Sequence, residues 1–268
     1  MPIESSQNDR VRLAKSLHTA KGRREAGLFL AEGPSVVTEA LGSDAPVAWV
    51  AWCEELSSPR VAEVLEAALE AGIEVVDCGE RAFRALSDTQ SPQGIAAVLE
   101  LPRPCLAHLK TEAARLTYLV LHDVRDPGNL GTMVRTADAF GADAVILAGS
   151  CADPYEPKVV RATAGSLFHL PVIGAAWREF VGWAAGHEVA AVASSLEAES
   201  GLGATPLPHR LALVVGNEAH GLAAEVLQDL ALRVRIPMSG RAESLNAAAA
   251  AAVLLYEASR REPPTCSG

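Results

Sequence analysis

The stretch "LTYLVLHDVRDPGNLGTMVRTADAFGADAVILAG", Leu116 to Gly149, decides the fold. It opens with an almost continuously apolar run, the pattern of a strand buried on both faces rather than one. Pro127 and Gly128 then make a turn, Asn129 is placed to cap a helix, and Leu130, Met133, Val134, Ala137 and Phe140 recur at helical spacing. "ADAVILAG" returns to the buried-strand pattern. Strand, helix and strand in this order predict two parallel strands joined by a crossover helix, and hence an α/β class.

The same alternation extends in both directions. Downstream, "LPVIG", "EVAAVAS", "RLALVVG" and "LRVRIPM" read as strands, with helices at "PKVVRATAGSLF", "WREFVGWAAG" and from Ser244 to Arg261. Upstream, "LFLAEG", "VAWVAW", "IEVVDC" and "SPQGIAAVLEL" read as strands, and "PSVVTEAL" and "SPRVAEVLEAALEAG" as helices. Between the two halves lies "PRPCLAHLKTEAARL", where prolines interrupt the strand pattern. The expected organisation is a small N-terminal α/β domain over residues 1–100, a linker over 101–116, and a larger domain with a mainly parallel sheet over 117–268.

Composition narrows the function classes. Of 268 residues 49% are apolar and 21% charged, the balance of a folded rather than a disordered chain. No apolar run reaches the roughly 18–20 residues of a membrane helix, and "MPIESSQNDRVR" lacks the apolar core of a signal peptide, so a cytoplasmic protein is expected. Five scattered cysteines show no metal-binding or redox spacing, and no metal is expected. The net charge of −10 argues against indiscriminate nucleic-acid binding. One local cluster runs the other way: Arg10, Arg12, Lys15, Lys21, Arg23 and Arg24 follow one another with no acidic residue between Arg10 and Arg24. It reads either as a solvated helix face or as an edge that contacts phosphates.

The usual loops for nucleotides and catalysis are missing. "RDPGNLG" after the apolar strand lacks the G-x-G-x-x-G turn that lets a backbone approach a pyrophosphate, and neither G-x-x-x-x-G-K-[ST], H-E-x-x-H nor G-x-S-x-G occurs. Three other polar segments remain. In the first, Arg135 lies at the edge of the helical apolar stripe, as a snorkelling surface residue or as a functional one. In the second, "LALVVGNEAHGL", a strand runs into Gly216, Asn217, Glu218 and Gly221 at its carboxyl end, where ligands gather in open α/β sheets. Glu218 there either caps a turn or serves a site. In the third, Ile236-Pro237-Met238 ends a strand and Ser244-Leu245-Asn246 opens an apolar helix, Ser244 being a natural N-cap.

Taken together and in this order, the three segments resemble the motifs of TrmH/SpoU-type members of the SPOUT superfamily of RNA methyltransferases. They stand here as Asn129-x-Gly131-x-x-x-Arg135, Gly216-x-Glu218-x-x-Gly221, and Ile236-Pro237-Met238 with Ser244-Leu245-Asn246. The N-terminal half, with its closing "SPQGIAAV", is similar to the ribosomal-protein-like substrate-binding domain of such enzymes. The resemblance implies a C-terminal trefoil knot, a homodimer, S-adenosyl-L-methionine as cofactor, and methylation of an RNA ribose 2′-hydroxyl, with ribosomal RNA favoured over tRNA. It implies a catalytic cluster of Asn129, Arg135, Glu218, Ser244 and Asn246, and a cofactor site at Gly216, Asn217, Ile236, Met238 and Leu245. Arg161, in "PKVVRATAGSLF", corresponds to a second RNA-facing element and reads either as a phosphate contact or as a surface salt bridge.

A guanidinium has no acceptor and stays protonated, so Arg135 suits a phosphate clamp and a stabiliser of developing alkoxide charge better than a base. Glu218 suits orienting Asn129 or Arg135, since a carboxylate beside an arginine has a depressed pKa. Two rival readings stand beside this one: a non-catalytic RNA-binding or assembly protein of the same fold, and a nucleotide-dependent oxidoreductase, which lacks its glycine fingerprint.

Overall fold

A computed structural model describes residues 1–195, 197–217 and 220–261. The chain divides into two compact units. The first comprises Met1–Pro102 together with Asp153–His169; the second comprises Arg103–Ala152 and the residues from Leu170 onward.

The first unit opens with α1 (Asp9–Ser16) and α2 (Ala20–Ala26), each capped by the polar side chain before it, Asn8 and Thr19. A four-stranded sheet follows in the order β1-β4-β2-β3, built from β1 (Leu28–Glu32), β2 (Val47–Trp52), β3 (Val75–Asp77) and β4 (Ile95–Glu100). β4 runs antiparallel to β1 and β2, whereas β3 runs parallel to β2. Helices α3 (Pro34–Leu41) and α4 (Pro59–Glu70) begin with proline at the first turn, where its missing N–H costs nothing. Helix α5 (Glu80–Leu86), which the sequence pattern does not announce, buries Ala82, Phe83 and Leu86.

The second unit holds a six-stranded sheet, ordered β10-β8-β9-β5-β6-β7 and parallel at every pairing. At its centre β5 (Leu116–His122) is buried at all seven positions, as its unbroken apolar run requires. Helix α6 (Pro127–Ala139) crosses to β6 (Ala144–Ala148). Then α7 (Pro157–Ala162), within the stretch that clusters with the first unit, precedes β7 (Val172–Ala175), α8 (Trp177–Gly186), β8 (Ala190–Ser194), β9 (Arg210–Val215), α9 (Ala224–Gln228), β10 (Leu232–Val234) and α10 (Ala247–Ser259). Tyr118 and Val120 of β5 share one core with Phe180 and Ala184 of α8. α10 packs along α6 and β9, and Phe140 meets Tyr256 edge to face at 5.9 Å.

Three expectations need correction. Residues 153–169, expected in the second domain, cluster with the first unit because α7 packs on β1, Tyr155 stacks on Phe29 at 5.1 Å, and Asp153 pairs with Arg23 at 2.6 Å. The helix read over "PKVVRATAGSLF" stops at Ala162, because Ala164 (φ 52°) and Gly165 (φ 104°) leave the helical region. The helix expected from Ser244 starts three residues later, at Ala247.

Candidate functional site

The first turn of α6 is capped by Asp126, whose carboxylate accepts the Asn129 backbone N–H at 2.7 Å. Asp126, not Asn129, is therefore the N-cap, and the Asn129 side chain is released for another partner. Asn246 is one such partner: its Nδ2 donates to Asn129 Oδ1 at 3.3 Å. Asn246 rather than Ser244 caps α10, accepting from the Ala248 N–H at 2.8 Å. Two helix N-termini, each with backbone N–H groups that lack intrahelical partners and a partial positive charge, are thus tied side by side.

Arg135 is exposed on α6, and among the described residues its guanidinium makes no hydrogen bond or ion pair. Five donors are thereby left facing water. Ser244 is likewise exposed, and Leu245 is 40% exposed although large and apolar. Glu218 lies outside the described residues.

After β9 the chain turns through a tight hairpin in which Asn217 and Gly221 exchange backbone hydrogen bonds at 3.0 and 2.9 Å. The spacing of its glycines has a steric cause. A Cβ on Gly216 would stand 2.4 Å from the Gly221 carbonyl oxygen, and Gly221 itself has φ 64°. Asn217 accepts the His220 N–H on Oδ1 at 3.2 Å and donates from Nδ2 to the Asp123 carbonyl at 2.9 Å. The amide of Asn217 therefore braces the hairpin against the end of β5.

A pocket opens where β8 and β10 end, lined by Ser194, Ser195, Ile236, Met238, Ser244, Leu245 and Ala250. Of the positions the motifs singled out for a cofactor, Ile236, Met238 and Leu245 line it, joined by Ser244; Gly216 and Asn217 do not. Ser194, Ser195 and Ala250 were not anticipated. A serine pair straddling the end of a buried strand, at the carboxyl edge of a parallel sheet, is the signal that could have found the first two.

In the first unit the basic run separates into different kinds of residue. Arg12, Lys15, Lys21 and Arg24 are exposed. Arg10 pairs with Glu74 at 2.8 Å and lies over the Trp49 ring. Arg23 is only 2% exposed, donating to Asp153 and to the Leu17 carbonyl, which removes it from any phosphate-contacting edge. Arg161 is held by Asp88 at 3.1 Å and lies 3.9 Å from Glu32, so its salt-bridge reading is the one realised.

An all-parallel sheet with a partly apolar, hydroxyl-rimmed pocket at its carboxyl edge, next to the N-terminus of α10, is the arrangement of a small-molecule-binding α/β protein. Residues 116–256 match the SpoU rRNA Methylase family, and residues 8–97 match the MRM3-like substrate binding domain. The chain belongs to the SpoU rRNA methylase family. It is 39% identical to the 23S rRNA (guanosine(2553)-2′-O)-methyltransferase RlmP of Bacillus subtilis (strain 168), across 95% of this chain and 97% of that one. The AdoMet-bound rRNA methyltransferase from Sinorhizobium meliloti superposes with a TM-score of 0.86 at 32% identity, covering 97% of both chains. The SpoU methyltransferase AviRb from Streptomyces viridochromogenes, in complex with AdoMet, gives 0.83 at 30% identity over 95% of this chain and 98% of that one.

Proposed function

We propose that the protein transfers the methyl group of S-adenosylmethionine to a ribose 2′-hydroxyl of 23S ribosomal RNA. The observation that carries this reading is the Asn129–Asn246 hydrogen bond, which joins the first and third motif segments, 117 residues apart, next to the pocket formed by Ile236, Met238, Ser244 and Leu245. The pocket suits an adenosyl sulfonium: apolar side chains for the base, and the hydroxyls of Ser194, Ser195 and Ser244 for its polar edges. When bound, S-adenosylmethionine supplies an electrophilic methyl carbon. The tight backbone approach of Gly216 to Gly221 keeps a compact wall at the end of β9.

The chain's own residues then position and stabilise. Arg135 holds a phosphate beside the target ribose and offsets negative charge as the hydroxyl loses its proton. Asn129 and Asn246 hold the two helix ends in register. Ser244 fixes cofactor and substrate at the mouth of α10. Glu218 orients Asn129 or Arg135, and the proton leaves to another acceptor or to solvent. In the first unit, Arg10, Arg12, Lys15, Lys21 and Arg24 contribute phosphate contacts.

We place the working protein in the cytoplasm as a homodimer with a knotted C-terminal segment. Val253 and Tyr256 of α10, large and apolar yet exposed, support a dimer face, and the position of β8 between β9 and β10, with α10 packed back on α6 and β9, supports a threaded chain. No described helix is long and apolar enough to cross a membrane.

The test is incubation of the purified protein with methyl-labelled S-adenosylmethionine and ribosomal RNA, followed by mapping of ribose methylation. Label in one 2′-O-methylated nucleotide of 23S RNA is the expected result. Cofactor binding without transfer would favour the non-catalytic reading, and label confined to tRNA would overturn the substrate.

A further inference from the structure

Asp123 follows β5 in the left-handed backbone region, with φ 57°. A non-glycine residue adopts that conformation at a cost and keeps it where its surroundings hold it there, aspartate being among the residues that tolerate it best. Here four groups hold it. Its N–H donates to the Ala148 carbonyl at 3.1 Å, and its own carbonyl accepts the Asn217 side-chain amide at 2.9 Å. Its Oδ1 accepts the Ser150 N–H at 2.6 Å, while Oδ2 lies 3.3 Å from His122 Nδ1. The loop after β6 is shaped to this carboxylate: a Cβ on Gly149 would stand 2.5 Å from Oδ1.

One residue therefore fastens the carboxyl ends of three adjacent strands, β9, β5 and β6, at the edge where the pocket and the motif segments gather. It also governs the start of α6. Only Val124 and Arg125 separate Asp123 from the N-cap Asp126, and the Val124 carbonyl accepts the Ala152 N–H at 2.9 Å. The hairpin that begins at Asn217 and the helix that carries Asn129 and Arg135 are both referenced to this one point.

We propose that Asp123 is a positioning residue for methyl transfer: its carboxylate and its left-handed backbone fix the Asn217–Gly221 hairpin relative to the start of α6. The proposal rests on the methyltransferase reading above. A displacement of about 1 Å between groups acting on one substrate can cost about 100-fold in rate without preventing binding. The role therefore predicts a loss in turnover rather than in affinity.

The experiment compares Asp123→Gly and Asp123→Asn with the wild-type protein in the labelled-methyl assay on ribosomal RNA, alongside cofactor affinity, thermal midpoint and amide hydrogen exchange. Glycine adopts the backbone conformation freely but removes the carboxylate; asparagine keeps an acceptor at Oδ1 and also tolerates the conformation. Asp123→Gly should lower kcat by about 10–100-fold while KM for RNA and Kd for S-adenosylmethionine stay within about threefold. Its Ser150 and His220 amides should exchange faster, and Asp123→Asn should recover most of the turnover. The proposal is overturned if Asp123→Gly turns over at the wild-type rate, if both variants lose equally, or if the loss tracks the fraction unfolded. If the wild-type protein transfers no methyl group, the methyltransferase reading fails instead; unchanged exchange at Ser150 and His220 would then still overturn the positioning role.

Discussion

The side-chain amide of Asn246 donates to the side-chain oxygen of Asn129 at 3.3 Å, so the residue that caps α10 also touches α6. Substitution can separate the two tasks. Asn246→Ser keeps a capping oxygen but is too short to reach Asn129; Asn246→Ala loses both. Losing the cap costs about 0.5–2 kcal/mol. Asn246→Ala should therefore lower the thermal midpoint by a few degrees, whereas Asn246→Ser should leave it almost unchanged. Both should lose methyl transfer; full activity in Asn246→Ser would remove the Asn129 contact from the site.

Arg135 contributes no described contact to the fold, so its substitution isolates function. Arg135→Ala should leave the thermal midpoint within about 1 °C, since exposed substitutions away from special features fall within about 0.5 kcal/mol. Transfer should fall by about 100–1,000-fold, the loss typical of a donor aimed at developing charge. Arg135→Lys keeps the charge without the two-pronged geometry and should recover little. A lysine variant with wild-type turnover and an unchanged pH–rate profile would show that a point charge suffices.

Gly216→Ala places a methyl group 2.4 Å from the Gly221 carbonyl, and backbone must move to admit it. The hairpin should open and S-adenosylmethionine affinity fall by at least about tenfold, a change calorimetric titration resolves. Gly221→Ala meets open space and pays only for its positive φ, about 1–2 kcal/mol. Equal loss in the two variants would place the hairpin's role in flexibility rather than in close packing.

Arg23 and Arg24 are neighbours with opposite consequences. Arg23→Ala strands Asp153 and should destabilise the protein by about 2–3 kcal/mol, below the about 3–5 kcal/mol of a fully buried pair because Asp153 keeps 34% of its side chain exposed. Arg24→Ala should leave stability unchanged and weaken RNA binding, with a shallower dependence of affinity on salt. Chemical denaturation and a salt titration of binding separate the two.

The thiols divide in the same way. Burial pushes Cys53 up to about 11 and Cys78 to about 12, so neither supplies thiolate near neutral pH. Cys105 is exposed. Alkylation at pH 8 followed by peptide mapping should label Cys105 at once and Cys53 and Cys78 only on unfolding. Because the folded values lie above the ordinary thiol value of 9.0, the stability tied to these protons is complete below pH 9 and lost as pH rises through 11 to 12.

What could be read in advance followed from periodicity. β5 and β6, continuous apolar runs, are buried at every position, and Trp177–Gly186 forms a helix with the bounds its pattern gave. The motif residues Ile236, Met238, Ser244 and Leu245 do meet around one pocket. What failed depends on partners far along the chain. Nothing in "GRREAG" says that Arg23 turns inward to Asp153 while Arg24 faces water, since that choice is made 130 residues away. Asp126 took the cap expected of Asn129 because it stands one residue before the proline that starts the helix. Asp123 carries no sequence signature at all; its role lies in a backbone angle and in bonds to Ser150 and Asn217.

Residues 153–169 give the chain a property that its two sequence matches conceal. The N-terminal module is discontinuous: its sheet is encoded before Pro102, yet the counter-ion of Arg23 and the ring against Phe29 are supplied by a segment spliced between β6 and β7. A single break after residue 102 would not release an intact module but one with an orphaned buried cation and an uncovered apolar face. Gene fusion or exchange of this domain as a cassette must therefore carry two segments or fail, which binds the evolution of the substrate-binding module to that of the methylase domain.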